Sequence, residues 1–335
     1  MSRNKLVSQL GHVEVATPCP EESAKFYVDV LGMTEVARDG KSIYLKCWGE
    51  WFHNSLILTE ANEPGVVHLG WRAEGEEELT LAARRLEENG SGIGWIDGAV
   101  GHGRAYRFRP PGGQNMEIYW EVDRYTAPPE LASKSPGRPQ KYPGRGASVR
   151  HLDHATMPTA DIRPDTYWWR DTLGFRFMEY QVLDADPDMM IFSMLSTNEQ
   201  AHDLALLKDE NKGSGRVHHI AFWVDQLDDL RRGVDVLYEN GTAIEYGPGR
   251  HGQGENSYLY FREPGGMRIE MYSGGYRNYQ PDWEPIRWST PSQGAHDFTK
   301  SAIPDSFLEV FPLSGMGGLK VDEAGENPWV LEGVS

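Results

Sequence analysis

Sulfur is scarce in this chain: its 335 residues include two cysteines, Cys19 and Cys47. Two thiols form one bridge at most, which excludes a disulfide scaffold and a structural zinc site built on thiolates. Free thiols in a reducing cytoplasm are expected. Positive charge is also short, with 33 Lys and Arg against 50 Asp and Glu and a formal net charge of −17. Such a surface repels nucleic acid and anionic lipid, and no basic block offsets it. No run of about 18 apolar residues occurs, so no membrane span is expected. The N-terminal stretch MSRNKLVSQLGHVEV lacks the apolar core of a secretory signal. Together these deficits point to a water-soluble cytoplasmic protein that works on small molecules.

What the chain has in quantity is repetition. LGHVEVATPC (10–19) is echoed by LDHATMPTAD (152–161), and each is followed by a helix-like stretch with an aromatic pair and a D-x-LG ending. WFHNSLIL (51–58) parallels QAHDLALL (200–207), and VVHLGWRA (66–73) parallels RVHHIAFW (216–223). LTLAARRLEENG (79–90) parallels LRRGVDVLYENG (230–241), each an amphipathic helix stopped by Asn-Gly. FRPPGGQNMEIYWEVDRY (108–125) parallels FREPGGMRIEMYSGGYRNY (261–279). Five blocks in one order make an internal duplication.

Each copy is itself double: strand, helix, three strands, then the same again. The expectation is an α+β fold of tandem βαβββ modules, two similar domains each with a curved, half-open barrel sheet and helices outside. The domains run over residues 1–125 and 149–280. Residues 126–148, rich in Pro, Gly and Ser, read as a linker. Residues 281–335 have no counterpart in the first half and read as a tail that wraps back over a cavity. The acidic run EGEEE (74–78) reads as a solvated helix start, and the aromatics at 167–169 as helix packing.

Setting the copies side by side separates architecture from chemistry. His12 matches His154, His53 matches His202, His102 matches His251, and Glu117 matches Glu270. Block alignment puts His68 opposite His218 and Leu69 opposite His219, and Arg107 opposite Tyr260. On this alignment the second copy holds His154, His219 and Glu270 together. The first copy lacks the third polar member, and the N-terminal domain is expected to have no metal site. Neighbours on a strand point to opposite faces, so His219 is expected to point inward and His218 away. Two imidazoles and one carboxylate suit a divalent first-row metal with open coordination positions, Fe(II) above all. Mn(II) accepts the same ligands, and zinc is a third occupant of such a set.

Residues 249–270, GRHGQGENSYLYFREPGGMRIE, carry a longer pattern. Gly249, His251, Leu259, Tyr260, Glu263, Pro264, Gly266 and Glu270 follow, in order, the segment of type I extradiol ring-cleavage dioxygenases within the vicinal oxygen chelate superfamily. The chain resembles that family from about residue 8 to about residue 280. The resemblance implies insertion of both atoms of O₂ into a catechol beside the diol, giving a 2-hydroxymuconic semialdehyde-type product, in degradation of aromatic compounds. It also implies His154, His219 and Glu270 as metal ligands and His202 as the acid/base histidine. His251 and Tyr260 would hydrogen-bond substrate oxygens. Members are commonly homo-oligomers, tetramers among them.

Two departures concern substrate binding. Thr156 stands where some members have Asn, and Tyr246 stands where members that bind a carboxylated side chain have Arg. A neutral catechol is favoured, with Arg287 in the tail as a substitute anchor. Two other functions compete. One is a glyoxalase-like isomerase or thiol transferase on the same fold. The other is a metal-free protein that sequesters an aromatic compound, which would leave the three ligand positions unconstrained.

Overall fold

The computed structural model describes residues 5–210, 212–290, 297 and 302–311. The expected module appears four times. The first is β1 (Val7–Thr17), α1 (Pro20–Asp29), β2 (Thr34–Asp39), β3 (Ser42–Lys46) and β4 (Leu56–Glu60). The second is β5 (Gly65–Ala73), α2 (Glu76–Glu88), β6 (Gly92–Ile96), β7 (Ala105–Phe108) and β8 (Met116–Tyr119). The third is β9 (His151–Thr159), α3 (Ile162–Leu173), β10 (Arg176–Leu183), β11 (Met190–Ser196) and β12 (Leu204–Lys208). The fourth is β13 (His219–Trp223), α4 (Leu227–Glu239), β14 (Ile244–Arg250), β15 (Asn256–Arg262) and β16 (Arg268–Gly274), after which β17 (Ile286–Thr290) follows.

The helix boundaries have local causes. Pro20 opens α1 with Glu21 and Glu22 in its first turn, and Glu76, Glu77 and Glu78 open α2. Acidic side chains there meet the positive end of the helix dipole. Helix α3 stops at Gly174, whose φ of 79° lies in the left-handed region that glycine enters without steric cost.

Modules pair into two sheets of matching order. The first runs β2-β3-β4-β1-β5-β8-β7-β6, and the second β14-β15-β16-β13-β9-β12-β11-β10-β17. At the centre of each, the first strands of two modules run antiparallel, β1 with β5 and β9 with β13. This central pair sets what faces what. Gly70 stands opposite His12 on β1 and Glu117 on β8. Ala221 stands opposite His154 on β9 and Glu270 on β16.

One continuous apolar core runs through both halves and includes Val13, Leu69, Phe108, Leu204, Ile220 and Phe261. Trp71 of β5 packs against Trp169 of α3 with ring centroids 5.7 Å apart, so the aromatic run on α3 joins the halves. The Gln114 side-chain amide donates to the carbonyls of Pro158 and Arg216 at 3.0 and 2.9 Å. Residues 126–148 form neither helix nor strand and lie along the first half, where the Gln140 amide donates to Thr34 Oγ1 at 2.9 Å.

Of the tail, residues 302–311 lie against the second half, and Val217 and Phe311 form a bridge. Residues 291–296, 298–301 and 312–335 lie outside the described residues. Among the described residues no helix is long and apolar enough to cross a membrane.

Candidate functional site

His154 sits on β9, His219 begins β13, and Glu270 lies on β16. These strands are neighbours in the order β16-β13-β9, so residues far apart along the chain share one face. His154 Nε2 and His219 Nε2 each lie 3.0 Å from Glu270 Oε2 and 3.4 Å from each other. All three residues are at most 5% exposed. Metal–ligand bonds of about 2.1 Å at right angles set neighbouring donors about 3 Å apart. Glu270 Oε1 is buried and makes no hydrogen bond, a cost of about 1–3 kcal/mol that a cation would remove. The residues present therefore fit a divalent metal.

The outer nitrogens of both imidazoles are held. His154 Nδ1 donates to Asp153 Oδ2 at 2.8 Å, and His219 Nδ1 lies 2.6 Å from His218 Nδ1. Fixing the outer nitrogen selects the tautomer and turns the Nε2 lone pair toward the metal position. Burial alone would lower the His154 pKa, but hydrogen bonds to Asp153 and Glu270 raise it. Burial pushes His219 down to about 4. Burial would raise the Glu270 carboxyl, but the hydrogen bond and charge of His154 hold it well below the usual range. It stays an anion.

The triad opens onto a cavity of about 710 Å³. His202, His251, Tyr260 and Thr156 all line it, as does an apolar wall of Leu183, Ile191, Phe192, Met194 and Leu207. The tail closes one side with Ile303, Phe307, Leu308 and Val310. The His202 ring centroid is 4.1 Å from that of His154, and its Nδ1 is buried without a hydrogen-bond partner. Burial first, then the His154 charge, holds its pKa well below the ordinary value, so His202 is a neutral base. His251 Nε2 lies 3.1 Å from Tyr260 Oη. Burial, then the Glu270 charge, raises the Tyr260 phenol well above its ordinary pKa, which keeps it a hydrogen-bond donor.

Several expectations change. His218 does not point away: it lines the same cavity. Strand β13 begins only at His219, so strict alternation does not reach back to residue 218, where Val217 is already bridged to Phe311. The pairing of the copies also shifts by one residue. Gly70 occupies the place of Ala221 in the strand register, so His68, not Leu69, corresponds to His219.

Tyr246 and Arg287 do not line the cavity. Tyr246 stacks on Tyr258 with centroids 5.2 Å apart and donates to Asp297 Oδ2 at 3.2 Å. Arg287 is exposed on β17, the outer strand, and donates to Ser289 Oγ. Residue-type matching missed Asp153 and Phe307. Asp153 was signalled only by its place beside a ligand histidine, and Phe307 by nothing local.

Comparison with known proteins agrees with this geometry. The model of the Glyoxalase/Bleomycin resistance protein/Dioxygenase superfamily matches residues 9–118 and 151–271. The chain is 39% identical over 305 residues to a metapyrocatechase of Geobacillus stearothermophilus, covering 90% of this chain and 92% of that one. It is 35% identical over 286 residues to a manganese-dependent 2,3-dihydroxybiphenyl 1,2-dioxygenase of Geobacillus genomosp. 3, covering 84% and 90%. Among solved structures, the 2,3-dioxygenase LapB of Pseudomonas sp. KL28 superposes with a TM-score of 0.78 at 28% identity, over 85% of this chain and 98% of that one. With both halves matched and a fold of the same order, the chain belongs to the Glyoxalase/Bleomycin resistance protein/Dioxygenase superfamily, among its extradiol ring-cleaving dioxygenases.

Proposed function

We propose that the chain opens a neutral catechol beside its two hydroxyls, at a divalent metal held by His154, His219 and Glu270. What carries this reading is the opening of that triad onto a largely apolar cavity, with His202 Nδ1 unpartnered beside it. A divalent metal held by these three residues would supply Lewis acidity to the diol and a path for an electron from the catechol to O₂. Two imidazoles and a carboxylate suit Fe(II), our choice, and Mn(II) takes the same donors.

The chain's own groups then divide the work. His202 takes a proton from a catechol hydroxyl and returns it as the ring opens. The Tyr260 hydroxyl, with His251 3.1 Å away, donates to the substrate oxygen on which negative charge gathers. The Leu183, Ile191, Phe192 and Met194 wall favours an apolar ring substituent. Lys208 also lines the cavity, but its Nζ lies 3.4 Å from Glu210 Oε1, so that charge is already paired. Thr156 is the polar contact we assign to the substrate edge, and Gln181, Gln253 and Asn256 also line the cavity.

The test loads metal-free protein anaerobically with Fe(II) or with Mn(II) and adds catechol and alkylcatechols in air. A yellow product with stoichiometric oxygen uptake is expected. Neither colour nor uptake with either metal would overturn the reading. We also propose a cytoplasmic homo-oligomer, a tetramer, which light scattering on the purified chain checks directly.

A further inference from the structure

The register shift found above changes the reading of the N-terminal half. His12, His68 and Glu117 stand at the strand positions of His154, His219 and Glu270. The full triad is thus present twice. A fourth donor, His102, arrives from the segment before β7. All four side chains are buried, with at most 8% exposure, and ring cleavage uses none of them.

Their inner atoms converge. Nε2 of His102, His12 and His68 lie 3.0, 3.4 and 3.5 Å from Glu117 Oε1. His12 Nε2 and His68 Nε2 are 2.8 Å apart. None of the three approaches to Glu117 Oε1 has hydrogen-bond geometry. Donors on a cation at bond lengths of about 2.0–2.1 Å lie about 3.3 Å apart in a tetrahedron, and the donor atoms of His12, His102 and Glu117 all lie within 4.8 Å of one another, a set that His68 does not join.

Every outer nitrogen has a polar atom close by. His12 Nδ1 lies 3.1 Å from Tyr119 Oη, His68 Nδ1 2.9 Å from Glu14 Oε2, and His102 Nδ1 2.8 Å from the Gly103 carbonyl. Metal-binding histidines show this pattern, one nitrogen held outside and the other presented inside. Gly70 makes the room, since a Cβ there would sit 2.2 Å from the His12 ring.

We propose that His12, His102 and Glu117 bind a second divalent cation, of the zinc class, with His68 Nε2 2.8 Å from His12 Nε2 at the edge of the site. Arg107, which replaces Tyr260 in the register, lies 3.4 Å from Glu117 Oε2 and occupies the side on which the other half opens its cavity. The duplication has therefore kept metal binding in both halves and substrate access in one.

The rival arrangement holds the same cluster together with a proton on His68, between Glu14 and Glu117. Metal counting on the full-length chain separates the two. His219→Ala disables the catalytic triad, and the purified variant is exposed to micromolar zinc, desalted and analysed by plasma mass spectrometry. It should retain one zinc ion per chain, and adding Glu117→Gln or His102→Ala to it should remove that ion. Should either second substitution unfold the chain, the other serves, and anomalous scattering at the zinc edge from the unaltered protein should peak among His12, His102 and Glu117. A folded His219→Ala chain without zinc overturns the proposal. So does zinc that survives Glu117→Gln, or an anomalous map without that peak.

Discussion

His218 Nδ1 lies 2.6 Å from Nδ1 of His219, and His218 Nε2 lies 2.6 Å from the carbonyl oxygen of Phe307. A carbonyl only accepts, so His218 Nε2 carries its proton and His218 Nδ1 is a lone pair. His219 must then donate from Nδ1, which leaves its Nε2 bare toward Glu270 and His154. The tail thereby sets the tautomer of His219, a proposed metal ligand, from outside the duplicated core. Replacing His218 by Ala should weaken metal affinity by about 10–100-fold, measured by chelator competition. Unchanged affinity would mean that His219 finds its tautomer without this chain of bonds.

His202 is assigned proton transfer and no metal bond. His202→Phe should therefore lower kcat by about 10²–10⁴-fold while metal content stays unchanged. Loss of metal from this variant would instead place the His202 ring among the ligands.

Tyr260 differs from the ligands in the same way. Its phenol is buried and kept protonated, and Tyr260→Phe removes one donor aimed at developing charge. A fall in kcat of about 10²-fold is expected, with little change in metal affinity. A rise in KM alone would assign Tyr260 to substrate binding rather than to the transition state.

Glu245 anchors the tail through Arg268. Its carboxylate accepts from Arg268 at 2.8 and 3.0 Å and from Arg262 at 2.9 Å. Arg268 in turn donates to the carbonyls of Ser306 and Glu309. Burial would raise the Glu245 pKa, but these guanidinium bonds lower it from 4.5 to about 2. Between those values the folded chain binds fewer protons than the unfolded one. The contribution to stability is thus complete above pH 4.5 and is lost as pH falls toward 2. Glu245→Gln should cost about 3 kcal/mol near neutral pH, because Arg268 is left without its counter-charge. Denaturant titrations at several pH values should show a flatter acid limb for the variant. An acid limb identical to that of the unaltered chain would remove Glu245 from this role.

Much of the catalytic half was legible beforehand. His154 and Glu270 stand out by recurring as His12 and Glu117 in the first copy, and His219 by standing where block alignment put Leu69. His218 was misread because alternation was carried one residue beyond the start of β13. Arg287 was offered as an anchor on charge alone, and β17 turned out to place it outside the cavity. Tyr246 stands opposite Tyr260 on adjacent strands, which puts it behind the donor rather than in front of the substrate.

The order of side-chain types along the chain by itself determined the four-fold βαβββ plan, the family and the grouping of His154, His219 and Glu270, because strand and helix periods and repeated blocks are local records. The phase of β5 was a tertiary decision. Side chains alternate with a period of two, so one step in register exchanges His68 for Leu69 at the sheet face. That step is set by backbone pairing and by irregularities in the β1–β5 ladder, one of them between Leu10 and His12. Block alignment had hidden a second histidine–carboxylate cluster that the folded sheet assembles.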